Sequence, residues 1–119
     1  MEKEIVPFEE SYELQKLGFL EPCFAYYGEI NGGEIELFFK RNFDTEARYV
    51  LAPTISQAFR WFRENHQLPC WVYTSNNKEY WYSVLKNGSM IVRDYEPFQS
   101  YEEAELTCLR KLIEIVKNK

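Results

Sequence analysis

The chain has a single histidine, three cysteines and no long apolar run, and each shortage narrows what it can do. Serine and cysteine nucleophiles ordinarily need a neighbouring base. Here His66 is the only ordinary candidate, with Cys70 close by in sequence but across an expected helix–strand junction. The plainer reading of His66 is a helix-end residue that favours the negative end of the dipole. Zinc is poorly served, because there is no C-x₂-C pair and no second histidine. No glycine-rich phosphate loop occurs either: Gly32-Gly33 falls in a hairpin and lacks the spacing of a nucleotide-binding fingerprint. The clusters Glu9-Glu10-Glu13 and Glu102-Glu103-Glu105 have the pattern of solvated first helical turns, not of an acid/base pair. Arg60 and Arg63 beside Trp61 form a small basic spot, read as solvating its helix. The expectation is therefore a protein without metal or cofactor and without a recognisable catalytic constellation.

An odd number of widely spaced cysteines, Cys23, Cys70 and Cys108, makes a poor disulfide framework. They suit a reducing compartment, each as a small buried hydrophobe. No segment approaches the ~20 apolar residues needed to span a bilayer. The opening Met1-Glu2-Lys3-Glu4 leads into no secretory signal core. The expected location is cytoplasmic. Basic residues are outnumbered fourteen to nineteen, for a net charge of −5. That balance repels phosphate backbones and anionic lipid, so it disfavours nucleic-acid and membrane-surface partners.

What is present fits a folded chain of 119 residues, 45% hydrophobic and 28% charged, read as one domain over 1–119. Its distinctive feature is an aromatic share of 18%, with nine Tyr, nine Phe and three Trp. Aromatic rings bury large areas and let a small domain build its core.

The periodicities predict the order α-ββ-α-βββ-α, an α+β fold with an antiparallel meander-type sheet and helices packed mainly on one face. Pro7 opens a first helix that Gly18 closes. Cys23 to Ile30 and Gly33 to Lys40 read as a hairpin around Asn31-Gly32. A two-residue turn there pairs Phe24 with Phe39 and Tyr26 with Leu37, and sets Glu29 opposite Glu34. A three-residue loop avoids that clash but mixes the faces, so the shorter turn is preferred. Residues 41–53 show no convincing period and read as a loop. Thr54 and Gln57 form a capping box for a second helix ending near His66. Strands follow around Asn76-Asn77 and after Asn87-Gly88, and Ser100 with Glu103 caps a last helix. Its apolar stripe is Tyr101, Ala104, Cys108, Leu112 and Ile115, flanked by Leu109 and Val116. Pro22-Cys23-Phe24-Ala25-Tyr26 and Pro69-Cys70-Trp71-Val72-Tyr73 each follow a helix and open a hairpin. They are either a duplicated unit or a coincidence of an aromatic-rich chain.

Two-residue turns at Asn76-Asn77 and Asn87-Gly88 gather Trp71, Tyr73, Tyr80, Tyr82, Val84, Ile91, Arg93 and Tyr95 on one sheet face. Cys70, Val72, Trp81, Leu85, Met90 and Val92, with Ser83 between them, then form the core face. The first set is a Tyr/Trp platform with one arginine: either a partner surface or a second core layer under a helix or the 41–53 loop.

Val6-Pro7-Phe8-Glu9, Leu17-Gly18-Phe19, Glu21-Pro22-Cys23, Leu51-Ala52-Pro53-Thr54, Gln57-Ala58-Phe59-Arg60-Trp61-Phe62-Arg63-Glu64 and Tyr101-Glu102-Glu103-Ala104-Glu105 stand together in this chain. In these stretches it resembles a family of small uncharacterised proteins of gut bacteria and their prophages or mobile elements. That resemblance implies a cytoplasmic, accessory protein and carries over no functional residue. The expectation is a non-enzymatic binding or regulatory module that engages another protein, or a second copy of itself, through Trp71, Tyr73, Tyr80, Tyr82, Arg93 and Tyr95. The alternatives are single-stranded nucleic-acid binding through the same face and an enzyme of unrecognised type.

Overall fold

A computed structural model describes residues 4–29, 33–39, 49–74, 78–93 and 97–118. The fold is α+β, with three helices and two three-stranded antiparallel sheets. Helix α1 (Phe8–Lys16) precedes β1 (Ala25–Glu29), β2 (Ile35–Phe39) and β3 (Val50–Leu51). Helix α2 (Ile55–His66) precedes β4 (Cys70–Thr74), β5 (Tyr80–Lys86) and β6 (Ser89–Arg93), and α3 (Tyr101–Lys117) closes the chain. The chain divides into two compact units, Met1–Thr54 and Ile55–Lys119.

In the first unit, Pro7 starts α1 with its fixed φ of −59°. Gly18 ends it at φ 100°, where Gly18 N–H reaches the Gln15 carbonyl and Phe19 N–H reaches the Leu14 carbonyl. This crossed pair needs a left-handed residue at Gly18, and it brings two fully buried side chains, Leu14 and Phe19, together. The sheet order is β2-β1-β3. Ala25 pairs with Phe39, Tyr27 with Leu37 and Glu29 with Ile35. That is the register of the longer loop, not the expected two-residue turn, while Asn31-Gly32 itself lies outside the described residues. Ala25, Tyr27 and Leu37 therefore share the core face with Ile5 and Ala52, and Tyr26, expected beside Leu37, lies on the opposite face. The register also removes the Glu29–Glu34 clash. The Val6 carbonyl anchors this core, accepting from Tyr27 Oη at 2.7 Å and from Ser11 Oγ at 3.1 Å. Phe8 meets Tyr27 edge-on from α1. Strand β3 replaces part of the expected loop: Val50 and Leu51 pair with Tyr27 and Tyr26.

In the second unit, α3 lies against β4 and β5 and α2 packs on α3. Helix α2 buries Ile55, Ala58, Trp61 and Phe62. Trp61 is thus core, and Arg60 is held in an exposed i,i+4 ion pair with Glu64. The buried stripe of α3 is Ala104, Cys108, Leu109, Leu112 and Ile113. It is rotated slightly from the expected one, so Tyr101 is exposed and Ile115 half-buried. Ser100 caps α3 by accepting from Glu103 N–H at 3.1 Å. Of the three cysteines only Cys108 is buried; Cys23 and Cys70 are half-buried, and Cys23 Sγ donates to the Glu21 carbonyl at 3.3 Å.

Candidate functional site: the open face of the second sheet

Strands β4 and β5 pair Cys70 with Val84, Trp71 with Ser83, Val72 with Tyr82, Tyr73 with Trp81 and Thr74 with Tyr80. This register differs by one residue from the one a two-residue turn at Asn76-Asn77 implies; that turn lies outside the described residues. Side chains alternate with period two, so a one-residue change regroups the faces completely. Tyr80, Tyr82 and Val84 now join Cys70 and Val72, while Trp71 and Tyr73 join Trp81, Ser83 and Leu85.

Burial assigns the two faces. Tyr82 is 3% exposed and Val84 fully buried, on the side that Tyr101 of α3 and Phe98 cover: Tyr80 meets Tyr101 at 6.0 Å and Tyr82 meets Phe98 at 6.0 Å. Tyr80 exchanges backbone hydrogen bonds with Phe98. Tyr80 and Tyr82 are therefore part of the packed side, and the expected eight-residue platform is divided between two faces. Trp71 is 40% exposed and Tyr73 39% exposed. They stand on the opposite face, with Tyr73 stacked on Trp81 at 5.9 Å.

The third strand completes this open face in an unplanned way. Asn87 and Gly88 have φ of 54° and 80°, the two positive values of a type I′ turn. They set Lys86 opposite Ser89 and Leu85 opposite Met90, as expected from Asn-Gly. A bulge between Val84 and Leu85 then shifts the ladder, so Val84 pairs with Val92 and Ser83 with Arg93. Arg93 thus keeps company with Ser83 and Trp71 in the pairing, and not with Tyr82. Met90, expected in the core, is 48% exposed. Ser83, expected between core residues, is buried as the small residue among Trp71, Trp81 and Leu85, and its Oγ donates to Met90 Sδ at 3.8 Å. The result is a shallow apolar surface with Ser83 at its floor and Trp71, Tyr73, Trp81, Leu85 and Met90 around it. Leu85 and Met90 could have been found from the sequence only by foreseeing the longer β4–β5 loop. Tyr95 lies outside the described residues.

His66 is accounted for by packing, with its ring against Trp61 at 4.8 Å and Phe62 at 5.9 Å. No group of three or more His, Cys, Asp or Glu side chains among the described residues is placed to hold a metal ion. Among the same residues, no helix is long and apolar enough to cross a membrane. Burial, then the nearby Glu105 carboxylate, pushes the Tyr101 phenol above its ordinary value. It lies on the packed side, away from the open face.

Compared with known proteins, the chain matches no family model, no curated protein and no solved structure.

Proposed function

We propose that this protein is a non-enzymatic binding module that engages another protein through the open face of β4-β5-β6, with Trp71 and Tyr73 as its anchors. The observation that carries this reading is their exposure side by side on a strand whose other face is packed. Trp and Tyr supply large contact area at small entropic cost and are enriched at protein interfaces. Met90 and Leu85 add adaptable apolar surface beside them. A partner suited to this face presents an apolar, weakly charged patch, since the aromatic anchors offer no fixed charge of their own. A cytoplasmic, accessory role of prophage or mobile-element type is the context the sequence resemblance supports.

Photo-crosslinking tests this. A photoreactive phenylalanine analogue is placed singly at positions 71, 73 and 90, and as controls at Tyr12 and Leu20, which are also exposed. The variants are then mixed with lysate of the organism that encodes the protein. One protein crosslinked from 71, 73 and 90, competed by unlabelled wild type and absent from the controls, is the expected result. Crosslinks that are equal at the control positions, or none from the face, would sink the reading. Stacking of single-stranded nucleic acid on Trp71 and Tyr73 is the second reading; it requires nuclease-sensitive crosslinks and salt-dependent oligonucleotide binding.

A further inference from the structure

We infer that two copies of this chain associate edge to edge through β2, forming a continuous antiparallel sheet about a two-fold axis at Leu37. Among the described strands β2 is the outer one of β2-β1-β3. Ala52 N–H donates to the Ala25 carbonyl, so Ala25 and, by alternation, Tyr27 and Glu29 direct their backbone groups toward β3. Tyr26 and Gly28 then face β2 and bond Phe38 and Glu36, their register partners. The backbone groups of Ile35, Leu37 and Phe39 consequently point away from the sheet. A strand presenting such a row is a template for another strand.

The other strand edges are blunted or differently arranged. Strand β3 has two residues, and β6 carries the bulge. In β4, the Pro69 carbonyl accepts from Leu85 N–H, so Cys70, Val72 and Thr74 point their backbone outward while the exposed rings belong to Trp71 and Tyr73. On β2, by contrast, two exposed large apolar side chains and outward backbone groups belong to the same residues. Ile35 is 44% exposed and Phe39 50% exposed. One pairing event therefore satisfies the backbone and buries the apolar surface.

The strand also suits itself in one register. Antiparallel copies centred on Leu37 set Leu37 against Leu37, Ile35 against Phe39 and Glu36 against Phe38. Each of the first two pairings exchanges backbone hydrogen bonds, and the Ile35, Leu37 and Phe39 side chains extend the apolar layer that begins at Ala25 and Tyr27. No like charges oppose each other.

Sedimentation equilibrium over a range of concentrations tests the association, comparing wild type with Ile35→Lys. The substitution is at an exposed position and leaves the Trp71 face untouched, so this inference and the proposed function fail independently. Each Ile35–Phe39 contact occurs twice in the dimer, and the dissociation constant should rise at least about tenfold. The axis is tested separately in a Cys23→Ser/Cys70→Ser background. Residues paired across the axis have Cα atoms about 5.5 Å apart, within disulfide reach. Leu37→Cys should therefore crosslink two chains under mild oxidation. Ile35→Cys should not, because its own copy lies several residues away along the strand. Wild type that stays monomeric at the highest attainable concentration overturns the inference. A dimer indifferent to Ile35→Lys, or crosslinking that is equal at 35 and 37, overturns it as well.

Discussion

Replacing Tyr82 with alanine and, separately, Trp71 with alanine separates the two possible registers of the second sheet. If a two-residue turn joined β4 to β5, these side chains would be direct neighbours on one face and would cost similar amounts to remove. In the observed register they lie on opposite faces. Tyr82 is 3% exposed and packs against Phe98, so truncating it opens a cavity in the layer beneath α3. Truncation of a buried large aromatic costs about 3–5 kcal/mol. Trp71 keeps 40% of its surface in water on an edge strand, where little can collapse or be left void. Its loss should cost about 1 kcal/mol, within the ordinary range for a partly exposed site. For a chain of 119 residues, each kcal/mol moves the midpoint by about 4 °C. Tyr82→Ala should therefore melt about 12 °C or more below wild type and Trp71→Ala only a few degrees below it. Urea unfolding followed by circular dichroism provides the free energies, and unchanged m-values would show that the unfolded state is not the source of the difference. Equal costs, or a larger one for Trp71→Ala, would refute the register and with it the assignment of the open face.

Gly88→Ala should destabilise by about 1 kcal/mol in the same assay. Its φ of 80° disfavours a Cβ although nothing stands within 4 Å of one, so the cost is conformational and not steric. Ser100→Ala should lose about 1 kcal/mol by removing the acceptor for Glu103 N–H, while Ser100→Asp retains most of the stability. Tyr101 predicts an alkaline effect. Its phenol pKa is raised in the folded state, so above the unfolded value of about 10 the unfolded chain loses its proton first and stability falls as pH rises through the folded value. Tyr101→Phe should flatten that alkaline decline and leave the neutral-pH curve unchanged.

Much of the fold was legible because its signals are local. Ser100 with Glu103, Pro7 and Gly18 mark helix ends through hydrogen bonds and dihedral preferences that involve only a few neighbouring residues. Asn87-Gly88 is equally self-contained, since its two positive φ values define the turn whatever lies beyond it. Strand β3 gave no such signal. Two residues carry no period, and Val50-Leu51 becomes a strand only because β1 offers a free edge. The open face is half legible in the sequence: the strand pattern puts Trp71 and Tyr73 on one Tyr/Trp platform, but it puts Tyr80 and Tyr82 on the same side.

The reason lies in the patterning of β4 and β5. Both alternating sets are apolar, Cys70 and Val72 with Tyr82 and Val84 on one side, Trp71 and Tyr73 with Trp81 and Leu85 on the other. Hydrophobicity alone cannot then choose between registers one residue apart. The same ambiguity affects β1 and β2, where Phe38 and Phe39 are adjacent and either could face inward. The amino-acid sequence by itself determined the α+β class, the helix limits and the type I′ turn, because those depend on contacts made within a turn or two of chain. Which face of each sheet is packed, where the ladder bulges and which aromatic side chains remain in water were decided only by tertiary structure. Those choices depend on what α1 and α3 cover, and residues distant in sequence supply that cover.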